Sequence, residues 1–226
     1  MKKIILFFGA AILIAFPCAG AFAASDNLAS NFSGFAASVG VNFTDGEAHV
    51  YGGTSDFRLG DDSYRANVDL MYNAALSGNW LLGGGITFDF GDAAIGSSGF
   101  SDNTTGTFLG TTKLSNQFSV YVKPSYALTD KVSFYGKLAL EHANAEYKDD
   151  GMLYDWPGGQ IDKSEGLFGI GYGVGILGLI TSHFFVSGEI TRVNFDTFKI
   201  GTNTAGATIR ETPNITQGIL SVGYKL

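Results

Sequence analysis

Eight stretches of this chain alternate apolar and polar residues with a period of two, the pattern of strands with one face in an apolar phase and the other in a polar one. In the clearest, Tyr64, Ala66, Val68, Leu70, Tyr72, Ala74 and Leu76 share one face, and Arg65, Asn67, Asp69, Met71 and Asn73 the other. The others start near residues 35, 80, 117, 132, 168, 184 and 220. Glycines 169, 171, 173 and 175 fill the second face of the sixth run and leave room for bulky neighbours in a narrow barrel. Tight turns at 77–79, 129–131 and 179–183 alternate with long polar links at 44–63, 91–116, 143–165 and 194–215. A barrel in an outer membrane has this rhythm, and closure leaves no unpaired edge in lipid. The expected fold is all-β, one eight-stranded antiparallel up-and-down transmembrane β-barrel with four long external loops. Pro124, inside the fourth run, predicts a bulge or a weak pairing there.

The front of the chain reads as an export signal. Lys2 and Lys3 precede an apolar core from Ile4 to Phe16, and Ala21-Phe22-Ala23 supplies a small-x-small cleavage pattern. That core is shorter than the roughly 20 residues a spanning helix needs. The expected division is therefore a signal peptide at 1–23 and a barrel domain at 24–226. Cys18, the single cysteine, falls in the signal, so the exported form has no thiol chemistry. A net charge of −7, with 14 basic and 21 acidic residues and no basic cluster, excludes a nucleic-acid footprint.

The stretch YVKPSYALTDKVSFY at 121–135 resembles the central hairpin of small eight-stranded outer-membrane proteins of the opacity-protein/OmpA-like barrel group. Residues 169–175 with Glu189 and Arg192 are similar to that group's next hairpin, and LSVGYKL at 220–226 to its C-terminal strand. The chain ends in Leu226 where such strands usually end in Phe or Trp. The resemblance implies an outer-membrane surface protein, assembled by the barrel assembly machinery among outer-membrane lipid and lipopolysaccharide, with ligands that differ between members.

Little in the sequence points to catalysis. His49, His142 and His183 form no HxxxH or HExxH pair, so no metal or catalytic residue and no cofactor is expected. His142, at the outer end of the fifth run, is followed by Ala143 and Asn144, neither a nucleophile. The glycine runs lie within strands rather than at a strand-to-helix junction, which removes a phosphate-loop reading. Asp149, Asp150 and Asp155 lack calcium-loop spacing and read as a solvated loop.

The inner faces carry Arg65, Lys123, Lys137 and Lys225 against Asp69, Asp89, Glu141 and Glu189. Counted from the turn at Asp130, Lys123 and Lys137 face one another, which requires carboxylates nearby, and Asp69, Glu141 and Glu189 are available. An eight-stranded barrel is just wide enough for side chains to fill, so this network is expected to close the lumen. Recognition then falls to the external loops, where Tyr154 and Trp156 stand among Asp149, Asp150 and Asp155 and offer apolar anchors for a host or surface ligand. The expected function is non-enzymatic, structural and surface-interacting. The rival readings are a narrow small-solute channel and a rim enzyme acting on lipid A.

Overall fold

The alternating runs form ten strands in the computed structural model, which describes residues 28–52, 55–102, 106–149, 162–202, 206 and 208–226. They are β1 (Gly34–Gly52), β2 (Ser55–Ala75), β3 (Trp80–Phe90), β4 (Ala93–Asp102), β5 (Gly106–Ala127), β6 (Val132–Asp149), β7 (Asp162–Leu179), β8 (Phe184–Phe195), β9 (Phe198–Thr202) and β10 (Thr208–Lys225). Ten strands make eight staves. β3 and β4 both pair with β5, as β8 and β9 both pair with β10, so each of these staves is one run broken at a corner. Antiparallel pairing of β1 with β10, from Ala36↔Lys225 to Tyr51↔Arg210, closes the barrel.

The lower half presents an apolar exterior. Phe35, Val39, Val41 and Phe43 on β1, Ile170, Tyr172, Val174 and Ile176 on β7, and Leu220 and Val222 on β10 are all exposed. In water so continuous a patch favours aggregation, whereas lipid solvates it. Rings border the belt at both levels. Trp80 meets Tyr126 and Phe184 meets Tyr224 near the tight turns, while Phe43 meets Tyr64 and Phe118 stacks on His142 at the other edge. The 3₁₀ turn Leu28–Phe32 blocks the bottom, with Ala29 and Phe32 buried against Leu81, Tyr135, Leu177 and Phe185. Asn73 donates to the Phe32 carbonyl at 3.3 Å, and the Lys225 ammonium donates to that of Asn31.

The four long loops are a correction. Strand runs deep into each of the links at 44–63, 91–116, 143–165 and 194–215. Alternation continues above the belt with its phase inverted. On β1 the outward residues become Asp45, Glu47 and His49 while Ala48 and Val50 turn inward. On β10, Arg210, Thr212 and Asn214 face out, and Pro213 and Ile215 are buried. The outer face has left lipid for water, so the polar side chains look like loop residues, and the small inward ones carry little hydrophobic signal. The membrane-spanning part of β10 begins near residue 218, below this segment.

Above the membrane the wall also divides. The β2–β3 ladder ends at Ala66↔Phe90 and the β7–β8 ladder at Gly169↔Phe195; among the described residues no ladder joins β2 to β4 or β7 to β9. The external strands thus form two four-stranded sheets, β9-β10-β1-β2 and β4-β5-β6-β7, face to face. Val50, Phe198, Ile200 and Ile215 from the first pack with Ile95, Leu114, Tyr147 and Leu167 from the second. An open seam is tolerable here because water satisfies a strand edge, which hydrocarbon cannot. At Gly91, φ is 97°, a left-handed corner that glycine adopts at little cost, and β4 there leans inward until the Ala94 carbonyl lies against Gly46 of β1, where no Cβ would fit.

Pro124 causes no bulge. The β5–β6 ladder skips from Val122↔Leu138 to Ser125↔Tyr135 without a change of register, and Pro124 stays opposite Leu82 of β3. Loss of its N–H leaves a gap in the ladder but inserts no residue. The register shifts instead between Ser115 and Phe118, where Asn116 has φ 51°.

Candidate functional site

Between the bottom plug and the external core, the lumen holds a polar layer built in two tiers. Strand alternation points Arg65, Asn67, Asp69, Thr87, Asp89, Gln117, Tyr121, Lys123, Lys137, Glu141 and Glu189 inward. In the upper tier Arg65 donates Nη1 to Gln117 Oε1 at 2.8 Å and lies 3.8 Å from Asp89. Gln117 in turn donates to Glu141 at 3.2 Å, and Asn42 donates to Asp89 at 2.6 Å. Gly171 leaves this space open, since a Cβ there would sit 3.1 Å from Glu141 Oε1.

In the lower tier Lys137 Nζ donates to Glu189 Oε1 at 3.0 Å, and Thr191 donates to the same oxygen at 2.7 Å. Asp69 accepts from Tyr121 at 2.9 Å and from Thr87 at 2.8 Å. Lys123 has the Met71 sulfur at 2.8 Å and lies 4.9 Å from the centre of the Tyr135 ring, while Lys137 lies 4.6 Å from that of Tyr121. Of the five residues proposed from sequence, then, Lys137 and Glu189 meet as an ion pair. Asp69 and Glu141 are bonded by neutral donors, and Lys123 by a thioether and a π-face. A cavity of about 30 Å³ remains among Asp69, Lys123, Tyr135, Lys137 and Glu189, room for a water or two.

Sequence reasoning passed over the neutral members Asn42, Thr87, Gln117 and Thr191. Inward position was their signal, but counting charges selects only charged residues. Asp149 closes β6, and Asp150, Tyr154, Asp155 and Trp156 lie outside the described residues. His142 points outward, its ring 5.1 Å from Phe118 and 5.0 Å from Phe168. Among the described residues no three of His, Cys, Asp and Glu converge as metal ligands would.

The external surface carries ion pairs of another kind. Lys113 bridges Asp92 at 2.6 Å and Glu146 at 3.3 Å, and these bonds hold its ammonium above the ordinary lysine value. Arg192 reaches Glu47 and Thr216, each at 2.8 Å. All three ion pairs are partly exposed and lie above the apolar belt.

A closed barrel of eight staves, with an apolar girdled exterior and a polar interior, belongs to the transmembrane class that spans outer membranes. The chain is a member of the outer membrane protein beta-barrel domain family, which it matches over residues 9–225. Among solved structures it is similar to Ail, the attachment invasion locus protein of Yersinia pestis, with 17% identity and a TM-score of 0.50, covering 86% of this chain and 99% of that one. It is also similar to OprG from Pseudomonas aeruginosa, at 10% identity and a TM-score of 0.48, covering 86% of this chain and 97% of that one. Neisserial surface protein A matches at 11% identity and a TM-score of 0.41, covering 86% of this chain and 98% of that one. At these identities the likeness to Ail is one of fold. No curated protein matches the sequence.

Proposed function

We propose that this is a non-enzymatic surface protein of the outer membrane whose lumen is filled by its own side chains and whose contacts with other molecules are made outside the membrane. The observation that carries this reading is the residual cavity of about 30 Å³ in the polar layer, with an apolar plug below and an apolar core above. A conducting pore needs a continuous wet path, and two dry layers oppose one. Export uses the signal at 1–23, the barrel assembly machinery inserts the chain, and lipopolysaccharide surrounds its outer rim. Residues 150–161, with Tyr154, Trp156, Asp150 and Asp155 and with Asp149 beside them, supply the recognition surface for a host or surface ligand.

Three measurements test the reading. The refolded protein in planar bilayers is expected to give no discrete openings, and stable single-channel steps would replace the plug with the small-solute channel. Replacing residues 150–161 with a short Gly/Ser turn is expected to leave heat-modifiable migration intact and to abolish cell-surface attachment. Attachment that survives the replacement would move recognition elsewhere on the external surface. A lipid A profile that changes when the gene is deleted would reinstate the rim enzyme.

A further inference from the structure

The core between the two external sheets is apolar except around Glu211 and Thr112. Glu211 has no solvent exposure, its Oε2 accepts from Thr112 Oγ1 at 2.9 Å, and its Oε1 has no partner among the described residues. Glu211 belongs to β10 in one sheet and Thr112 to β5 in the other, so this bond crosses the interface within the buried core.

Among the described residues no counter-charge stands opposite. β1 presents Ala48 and Val50, β9 presents Phe198 and Ile200, β4 presents Ala93 and Ile95, and β5 presents Leu114 beside Thr112. The titratable residues on the inward phase of the other external strands are the buried Tyr147 on β6, Lys163 and the exposed Glu165 on β7, and the exposed Asp61 on β2. Lys163 is held by the Lys199 carbonyl and by Glu165. Arg65 and Glu141 lie in the layer below, both bonded to Gln117. Burial therefore acts on Glu211 against only the Thr112 hydroxyl, and pushes its carboxyl up to about 7.

We infer that Glu211 is a proton-operated latch of the external cap: protonated, it lets the two sheets close over a dry core, and ionised, it drives them apart and admits water between them. A neutral acid with one unpaired oxygen is far cheaper to bury than an unpaired carboxylate. The seams allow the movement, because among the described residues no ladder joins β2 to β4 or β7 to β9, and the bonds across them each involve a side chain, Ala94 N–H to Ser63 Oγ at 3.2 Å and Lys163 to the Lys199 carbonyl. The sign follows from linkage: the carboxyl is raised above its ordinary 4.5, so the cap is most stable below that value and loosens as pH rises through about 7. The latch goes beyond the proposed function and operates whether or not the lumen conducts.

Hydrogen exchange of the full-length protein in phosphatidylcholine vesicles, corrected for the intrinsic pH dependence of exchange, tests it. Between about pH 5.5 and about pH 8.5, amides at 198–202 and 208–214 are expected to lose at least about tenfold in protection, while those at 118–122 stay unchanged. Glu211→Gln is expected to flatten this response. Thr112→Val removes the hydroxyl that favours the ion and is expected to move the midpoint upward. Cap protection that does not change with pH in the wild type, or a Glu211→Gln variant with the wild-type response, overturns the latch. If Glu211→Gln fails to give a heat-modifiable barrel, Thr112→Val decides: an upward midpoint supports the latch and an unmoved one refutes it.

Discussion

The same strands build two halves with opposite polarity. Along β1 the outward residues pass from Val39, Val41 and Phe43 to Asp45 and Glu47, and the inward ones from Ser38 and Asn42 to Ala48 and Val50. The solvent outside decides both faces. In lipid the apolar side chains are stable outside, and the polar ones gather within, where they bond each other. In water the apolar side chains make an ordinary core, and the wall is free to part into two sheets. The backbone follows the same rule, since a ladder joins every pair of neighbouring staves in the belt, with a gap at Pro124, and the two open seams lie above it.

The largest effect is expected where charge is buried inside the lipid-embedded half. Lys137 and Glu189 pair at 3.0 Å with side chains 8% and 9% exposed. Glu189→Ala leaves the ammonium without its carboxylate and is expected to cost about 3–5 kcal/mol, read as a lowered urea midpoint in the gel mobility of the folded barrel. Lys137→Met together with Glu189→Leu is expected to recover most of that loss, because the penalty arises from the uncompensated ion. A Glu189→Ala barrel with an unchanged midpoint would show that the polar layer is wet and that the two halves do not differ as argued.

A cavity in the external core is next. Leu114 is fully buried between the sheets, and Leu114→Ala is expected to cost about 2–5 kcal/mol. Its signature separates the halves, because the loss should fall on cap amides, where opening is local, and leave the heat-modifiable barrel intact. Global unfolding in step with the cap would make them one cooperative unit.

How much of this was legible follows from the same contrast. The lower staves can be read because large apolar outward residues alternate with polar inward ones, as in residues 64–76, and that phase places the charges of these runs on the inner face. The upper staves were hidden by the inverted phase, with Ala48, Ala143 and Ala145 as weak inward markers among outward Glu47, Asn144 and Glu146. Glu211, in what reads as a polar link, gives no sign that it is buried. The bottom plug at Leu28–Phe32 is a single 3₁₀ turn, too short for periodicity to show. Within the polar layer, charge counting found Lys137 and Glu189 but could not foresee that Tyr121 and Thr87, rather than a lysine, bond Asp69.

One charge placed at two heights on one strand sharpens the boundary. Val39→Arg, outward in the belt, is expected to cost about 2–4 kcal/mol, and Asp45→Arg, outward above it, no more than about 1 kcal/mol. Asp45 lies opposite Asp62, so a cation there meets an acid. Equal costs at the two positions, measured by the same urea midpoint in vesicles, would place the membrane border higher than the change of outward polarity does.

The smallest effect is expected from the shortest ion pair discussed. Lys113 and Asp92 approach to 2.6 Å, closer than Lys137 and Glu189, but their side chains remain 35% and 47% exposed. Water already solvates both ions, and holding two long side chains in one geometry costs entropy, so the pair stabilises by no more than about 1 kcal/mol despite its length. Lys113→Met is expected to lower cap protection by less than that amount, and added salt is expected to shrink the difference further, since screening acts over about 8 Å at physiological ionic strength. Salt should leave the cost of Glu189→Ala unchanged, because ions do not enter the polar layer. If Lys113→Met instead matched Glu189→Ala in magnitude and resisted salt, burial would not be what separates the two pairs.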